Sequence, residues 1–97
     1  MIVEWSETAT AEILSIRAYL SRTSPAYAQL VAEKIIRRTE QLADQPLVGA
    51  EVPEYGDETL REVFERPYRI MYRVAADRIQ VVAIIHASRQ LPEQPPG

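Results

Sequence analysis

The sequence predicts an α+β fold in which a short N-terminal strand and an antiparallel two-helix hairpin pack on a curved antiparallel sheet of about four strands, in the order β-α-α-β-β-β. Apolar residues recur at helical spacing twice before residue 43, and strict alternation takes over from residue 68 to 74. Between these regimes lies a stretch punctuated by proline and glycine. The 97 residues, 46% hydrophobic and 26% charged, have the length and balance of one globular domain spanning 1–97. A chain of this size buries only about 60–65% of its unfolded surface, so its stability margin is thin.

Residues 2–5, IVEW, alternate and predict a brief strand. Ser6 is placed to cap a helix, with Glu7 in the favourable first turn. Ala9, Ile13, Ile16 and Leu20 then share one helical face. The pattern breaks at Ser21-Arg22-Thr23, and Ser24-Pro25 restarts it as a cap followed by proline at the first helical position. Ala28, Val31, Ile35 and Leu42 carry the second apolar face. So short a link between two helices implies an antiparallel hairpin.

From 45 to 59 the pattern dissolves around Pro46, Gly49, Pro53 and Gly56, with Glu51, Glu54, Asp57 and Glu58 among them. This is a loop of about 15 residues, a length that is often functional when ordered. Strands follow at Leu60–Glu65, at Tyr68–Val74 and, after the turn Ala75-Ala76-Asp77, from Arg78 onward. Alternation places Tyr68, Ile70, Tyr72 and Val74, with Ile79, Val81, Ala83 and Ile85, under the helices. The same alternation sends Arg69, Met71 and Arg73, with Val82, Ile84 and His86, to an uncovered face. Tyr68, Tyr72 and Trp5 read as packing aromatics. The proline-rich residues 92–97 are expected to fray.

Composition removes several chemistries. Without cysteine there is no disulfide, thiolate metal site or cysteine nucleophile, and with His86 as the only histidine no zinc site needing two imidazoles can form. No metal and no cofactor is expected. No apolar run approaches a membrane span, and the N-terminus lacks the layout of a signal peptide, so a cytoplasmic protein is expected. The net charge of −3 argues against direct nucleic-acid binding over the whole surface. The charge is uneven, however: residues 1–59 carry five basic and ten acidic side chains, whereas 60–97 carry six arginines against four acids. Arg61, Arg69, Arg73 and Arg89 can form a surface that pairs with carboxylate or phosphate, with Met71 and His86 beside them. The plainer alternative is a solvated face balanced by Glu62, Glu65 and the acidic loop.

The order of elements, with Ser24-Pro25-x-x-Ala28, Pro46-x-x-Gly49, Leu60-Arg61-Glu62, Tyr68-Arg69-Ile70-x-Tyr72-x-Val74 and His86-x-x-Arg89, resembles the RelE/ParE superfamily of type II toxins over residues 2–91. The resemblance implies a small bacterial cytoplasmic toxin. It also implies a hetero-oligomer with a cognate antitoxin, ParD-like or related, whose acidic C-terminal segment wraps the toxin. RelE-like members cut messenger RNA on the ribosome, which requires groups to deprotonate the ribose 2′-OH, protonate the leaving oxygen and stabilise the phosphorane. Arg69, His86 and Arg89 are the candidates for that chemistry here, and Glu51 or Glu54 could add a base. Leu60 and Glu62 stand where the RelE strand bears lysine, and no tyrosine follows His86. ParE-like members instead inhibit DNA gyrase without hydrolytic residues, and their Leu-Arg, Tyr-Arg-Ile-x-Tyr and His-x-x-Arg pattern is the closer match. The expectation is therefore a ParE-like gyrase inhibitor that causes growth arrest. The alternatives are an mRNA endoribonuclease and a degenerate toxin that retains only antitoxin binding.

Overall fold

The computed structural model describes Met1–Gly97 and contains β1 (Ile2–Trp5), α1 (Glu7–Ser21), α2 (Pro25–Glu40), β2 (Ala50–Glu51), β3 (Leu60–Glu65), β4 (Tyr68–Val74) and β5 (Arg78–His86), with a 3-10 turn at Gln41–Ala43. Both helices start where side-chain chemistry dictates. Ser6 Oγ accepts from the Ala9 N–H at 3.0 Å, and Ser24 Oγ accepts from the Tyr27 N–H at 3.2 Å ahead of Pro25 in the first turn. Ala9 and Ile13 of α1, with Ala28, Ala32, Ile35 and Thr39 of α2, are buried.

The sheet order is β1-β5-β4-β3-β2. It is mixed rather than wholly antiparallel, because β1 runs parallel to β5, and a two-residue strand, β2, within the expected loop makes the fifth member. Val3 lies opposite Ile79 and Trp5 opposite Val81. These β1 side chains pack on the helix-side core, which joins Ala9, Ile13, Ile35, Ile70, Tyr72, Ile79, Val81 and Ile84.

The reading of the last strand needs correction. Met71 pairs with Ala83 but Tyr72 pairs with Val81, so Val82 is an extra residue bulged into β5. A one-residue slip exchanges the faces of everything beyond it. Ile79 and Val81 pack under the helices as expected, but so does Ile84, while Ala83 and Ile85 lie on the far side. His86, opposite Tyr68, therefore shares the helix side and meets the Tyr68 ring edge-on at 5.6 Å between centroids.

The far face is not bare. Val52, Leu60, Met71, Val82, Ala83 and Ile85 form a second core, with Tyr55 and Leu91 packed on it. The acidic loop and the tail supply this cover: Tyr55 Oη donates to the Pro92 carbonyl at 2.7 Å, and Arg73 donates to the Pro96 carbonyl at 3.3 Å.

The loop enters through a close approach. The Tyr72 hydroxyl, on a fully buried ring, donates to the Pro46 carbonyl and accepts from the Gly49 N–H, both at 2.9 Å. A Cβ on Gly49 would lie 2.5 Å from the Glu62 carbonyl oxygen and 2.6 Å from the Tyr72 hydroxyl. This contact accounts for the Pro46-x-x-Gly49 spacing. Gly49→Ala should therefore destabilise the domain by about 1–3 kcal/mol through overpacking, read as a lower midpoint in urea denaturation.

Candidate functional site

The arginines of β4 lie on the far face, as alternation requires, but they are not free. Arg69 is 8% exposed. Its Nε donates to Glu62 Oε1 at 2.6 Å, and Nη1 and Nη2 donate to the two oxygens of Glu54 at 2.8 and 2.9 Å. Phe64 is the residue directly opposite Arg69, so Glu62 reaches it diagonally across the strand pair. Glu62 is buried, whereas Glu54 leans in from solvent. Burial disfavours a charge, but two carboxylates outweigh that here and hold the guanidinium even more firmly protonated than usual.

Arg73 is half-buried. Nη1 donates to Asp57 Oδ2 and to Thr59 Oγ1, both at 2.8 Å. Hydrogen bonds from Arg73 and then from Thr59 pull the Asp57 carboxyl down from 3.8 to about 2. Arg61 spends its guanidinium on backbone, donating to the Gly49 carbonyl at 2.6 Å and to that of Leu47 at 3.4 Å. The expected array of solvated arginines is thus, in the main, a set of internal ties. Met71, expected at a partner-facing position, is fully buried.

His86 and Arg89 lie elsewhere. Parallel pairing with β1 stops at Val81, so the outer edge of β5 has no strand beside it from Val82 onward. Helix α1 fills part of the gap: Glu12 Oε1 accepts from the Ile84 N–H at 2.9 Å. Partial burial raises the Glu12 pKa, opposed by the Ile84 N–H and by Arg89. A cleft of about 500 Å³ opens beside this contact, lined by Thr8, Glu12, Ser15, Tyr68, His86 and Arg89 among others. The Ser88 N–H donates to His86 Nδ1 at 3.2 Å, and Ser88 Oγ sits 2.7 Å from the same nitrogen. His86 and Arg89 therefore share one cleft, whereas Arg69 is on the opposite side of the sheet.

Sequence reasoning found Arg69 and Arg73 and set Glu62 and the acidic loop against them as balancing charge, but it did not find which acid meets which arginine. Glu54 and Asp57 were visible only as acids in a loop, and the pairings span 15 and 16 residues. Glu12 carried no signal, because its hydrogen-bond donor is a backbone N–H freed by the end of a strand 72 residues away in sequence.

With the fold and site in view, comparison with known proteins decides the family. Residues 3–91 match the family model described as ParE toxin of type II toxin-antitoxin system, parDE. The chain belongs to the ParE toxin family. This toxin is 36% identical over 88 residues to Toxin RelE2 of Caulobacter vibrioides, covering 90% of this chain and 96% of that protein. It also resembles a solved chain of the chromosomal ParDE TA system from P. aeruginosa, at a TM-score of 0.74 and 25% identity over 89% of this toxin and 95% of that chain. No helix of the toxin is long and apolar enough to cross a membrane.

Two outcomes follow from the arginine ties. Arg69→Met strands Glu62 without its cation and should cost about 3–5 kcal/mol in urea denaturation. Replacing both partners, in Arg69→Met/Glu62→Leu, should recover most of that loss, because an apolar pair leaves no buried charge unpaired. The second outcome concerns acid. A carboxylate whose pKa falls on folding stabilises fully above its unfolded value, and that stability disappears as pH drops through the folded value. For Asp57 the window runs from 3.8 down to about 2, and Glu54 is lowered in the same direction by Arg69. Glu12 is raised from 4.5 and so contributes the opposite slope, above that window. Melting temperature should therefore fall between about pH 4 and pH 2, with a shallower fall for Asp57→Asn.

Proposed function

We propose that this toxin acts in the cytoplasm by binding DNA gyrase, without cutting RNA, and that a cognate antitoxin neutralises it. One observation carries the reading: Arg69 and His86, two of the three residues a nuclease would draw on, lie on opposite faces of the sheet. Cleavage by 2′-OH attack needs its base, acid and cation around a single phosphorus atom. Arg69 is also 8% exposed and already paired with both Glu54 and Glu62, which leaves little of it open to a phosphate. A binding mechanism asks for surface rather than for a converging proton-transfer set.

Such surface is present. Leu14, Tyr19, Tyr27, Leu30 and Ile36 of the helical hairpin are exposed. Arg61, Arg73, His86 and Arg89 remain reachable from solvent, whereas Arg69 and Met71 do not. The antitoxin would bury the apolar hairpin surface and meet the reachable cations, and its binding would stabilise a small domain in proportion to its concentration. Exposed aromatic and arginine side chains are the residue types that carry binding energy when desolvated.

The deciding experiment is plasmid supercoiling by purified gyrase. Saturating toxin should block it and the antitoxin should restore it, whereas normal supercoiling would overturn the reading. One observation favours a second reading: the 36%-identical relative is named Toxin RelE2. RelE-like cleavage would appear as mRNA cut in the ribosomal A site, lost in His86→Ala/Arg89→Ala. Induction without growth arrest would leave only a degenerate toxin that binds its antitoxin.

A further inference from the structure

We propose that Glu12 guards the open edge of β5, and that the partner it keeps out is a second copy of this chain. Pairing with β1 ends at Val81 while β5 runs on to His86, so Val82–His86 form a rim with no strand beyond it. Such a rim is a template for strand addition. At the opposite end of the sheet β2 has only two residues, too few to serve in the same way.

The backbone groups along the rim are self-complementary. In an antiparallel pair the N–H and C=O of one residue point to the same side. The Ile84 N–H faces away from β4, since it donates to Glu12 Oε1 at 2.9 Å, so the Ile84 carbonyl faces out as well. Two residues on, the His86 N–H also faces out, whereas the Ala87 N–H turns inward to the Pro67 carbonyl at 2.8 Å. Ile84 stands at the middle of Val82–His86. Two copies related by a twofold axis at Ile84 would therefore match the whole rim, each Ile84 N–H donating to the other copy's Ile84 carbonyl. The pairing would stop at Val81, where β1 begins.

Glu12 occupies the central donor of that arrangement. Clefts of about 500 and 420 Å³ open beside it, the first against Ile84 and His86, the second against Ile85 and Leu91. The rim is thus approachable from both faces of the sheet and closed at its middle by this one carboxylate. Twofold pairing would break the Glu12–Ile84 bond in both copies and bring two carboxylates together at the axis. Burial already disfavours the Glu12 charge despite the Ile84 N–H and Arg89, and a second copy would bury it further. An inward-pointing charge is a recurrent means of keeping sheet edges apart.

Sedimentation of the purified full chain over a concentration series tests the guard without antitoxin or gyrase. The native chain should stay monomeric, and so should Glu12→Gln, whose amide oxygen still accepts from Ile84. Glu12→Leu should dimerise, with self-association strengthened at least about tenfold, since neither copy then gives up a charge-assisted hydrogen bond. Adding His86→Pro should return it to monomer, because the ring removes an outward N–H and leaves the ladder to β4 intact. Circular dichroism checks folding, and Glu12→Ala replaces Glu12→Leu if the latter does not fold. A native dimer, a folded Leu or Ala variant that stays monomeric, a dimer that survives His86→Pro, or open-ended oligomers would overturn the proposal. So would failure of both variants to fold, which would assign Glu12 to stability alone.

Discussion

The burial of one guanidinium organises the far side of this toxin. A charge taken out of water is stable only when opposite charge and hydrogen bonds replace its hydration. Arg69 obtains both from a neighbouring strand, through Glu62, and from a loop, through Glu54. The second of these ties has the wider consequence. With Glu54 held against the sheet, Val52 and Tyr55 are carried onto Met71 and Ile85, and the second core closes. At the loop's entrance the Tyr72 hydroxyl grips Pro46 and Gly49, so both ends of the segment are anchored to β4. Exposed ion pairs contribute little by themselves. The importance of Glu54 lies in the apolar residues it brings with it.

The bulge at Val82 decides how the remaining functional side chains are divided. Without it, His86 would share a face with Arg69 and Arg73, and the three would form the array that alternation predicts. With it, Ile84 enters the helix-side core and His86 sits against Tyr68 near Glu12 and Arg89. Bulges commonly re-aim side chains near the end of a strand. Here one inserted residue separates the imidazole from the buried guanidinium by the thickness of the sheet.

These two features also explain what could be read from the chain and what could not. The helix starts were legible because Ser6 and Ser24-Pro25 act on the backbone within three residues. The faces of β4 were legible because tyrosine and isoleucine alternate with arginine from Tyr68 to Arg73, with Met71 the lone apolar exception. The slip in β5 left no mark: IQVVAIIH is apolar from Val81 to Ile85, so either register satisfies the pattern. A strand buried on both sides loses the contrast on which periodicity depends. Parallel pairing of β1 was equally silent, since four residues give a strand but not its direction. The loop acids were counted correctly, but a count says nothing of partners more than a dozen residues away.

The most buried cation of this toxin is already satisfied by its own chain. Any acidic chain that approaches finds Arg69 paired twice and Arg73 paired once. Charge alone then yields no net contact, because each new ion pair breaks an existing one. The hairpin surface differs, because Tyr19, Tyr27 and Leu30 are exposed there and belong to neither core. Internal neutralisation of the arginines therefore leaves the far face with little unpaired positive charge.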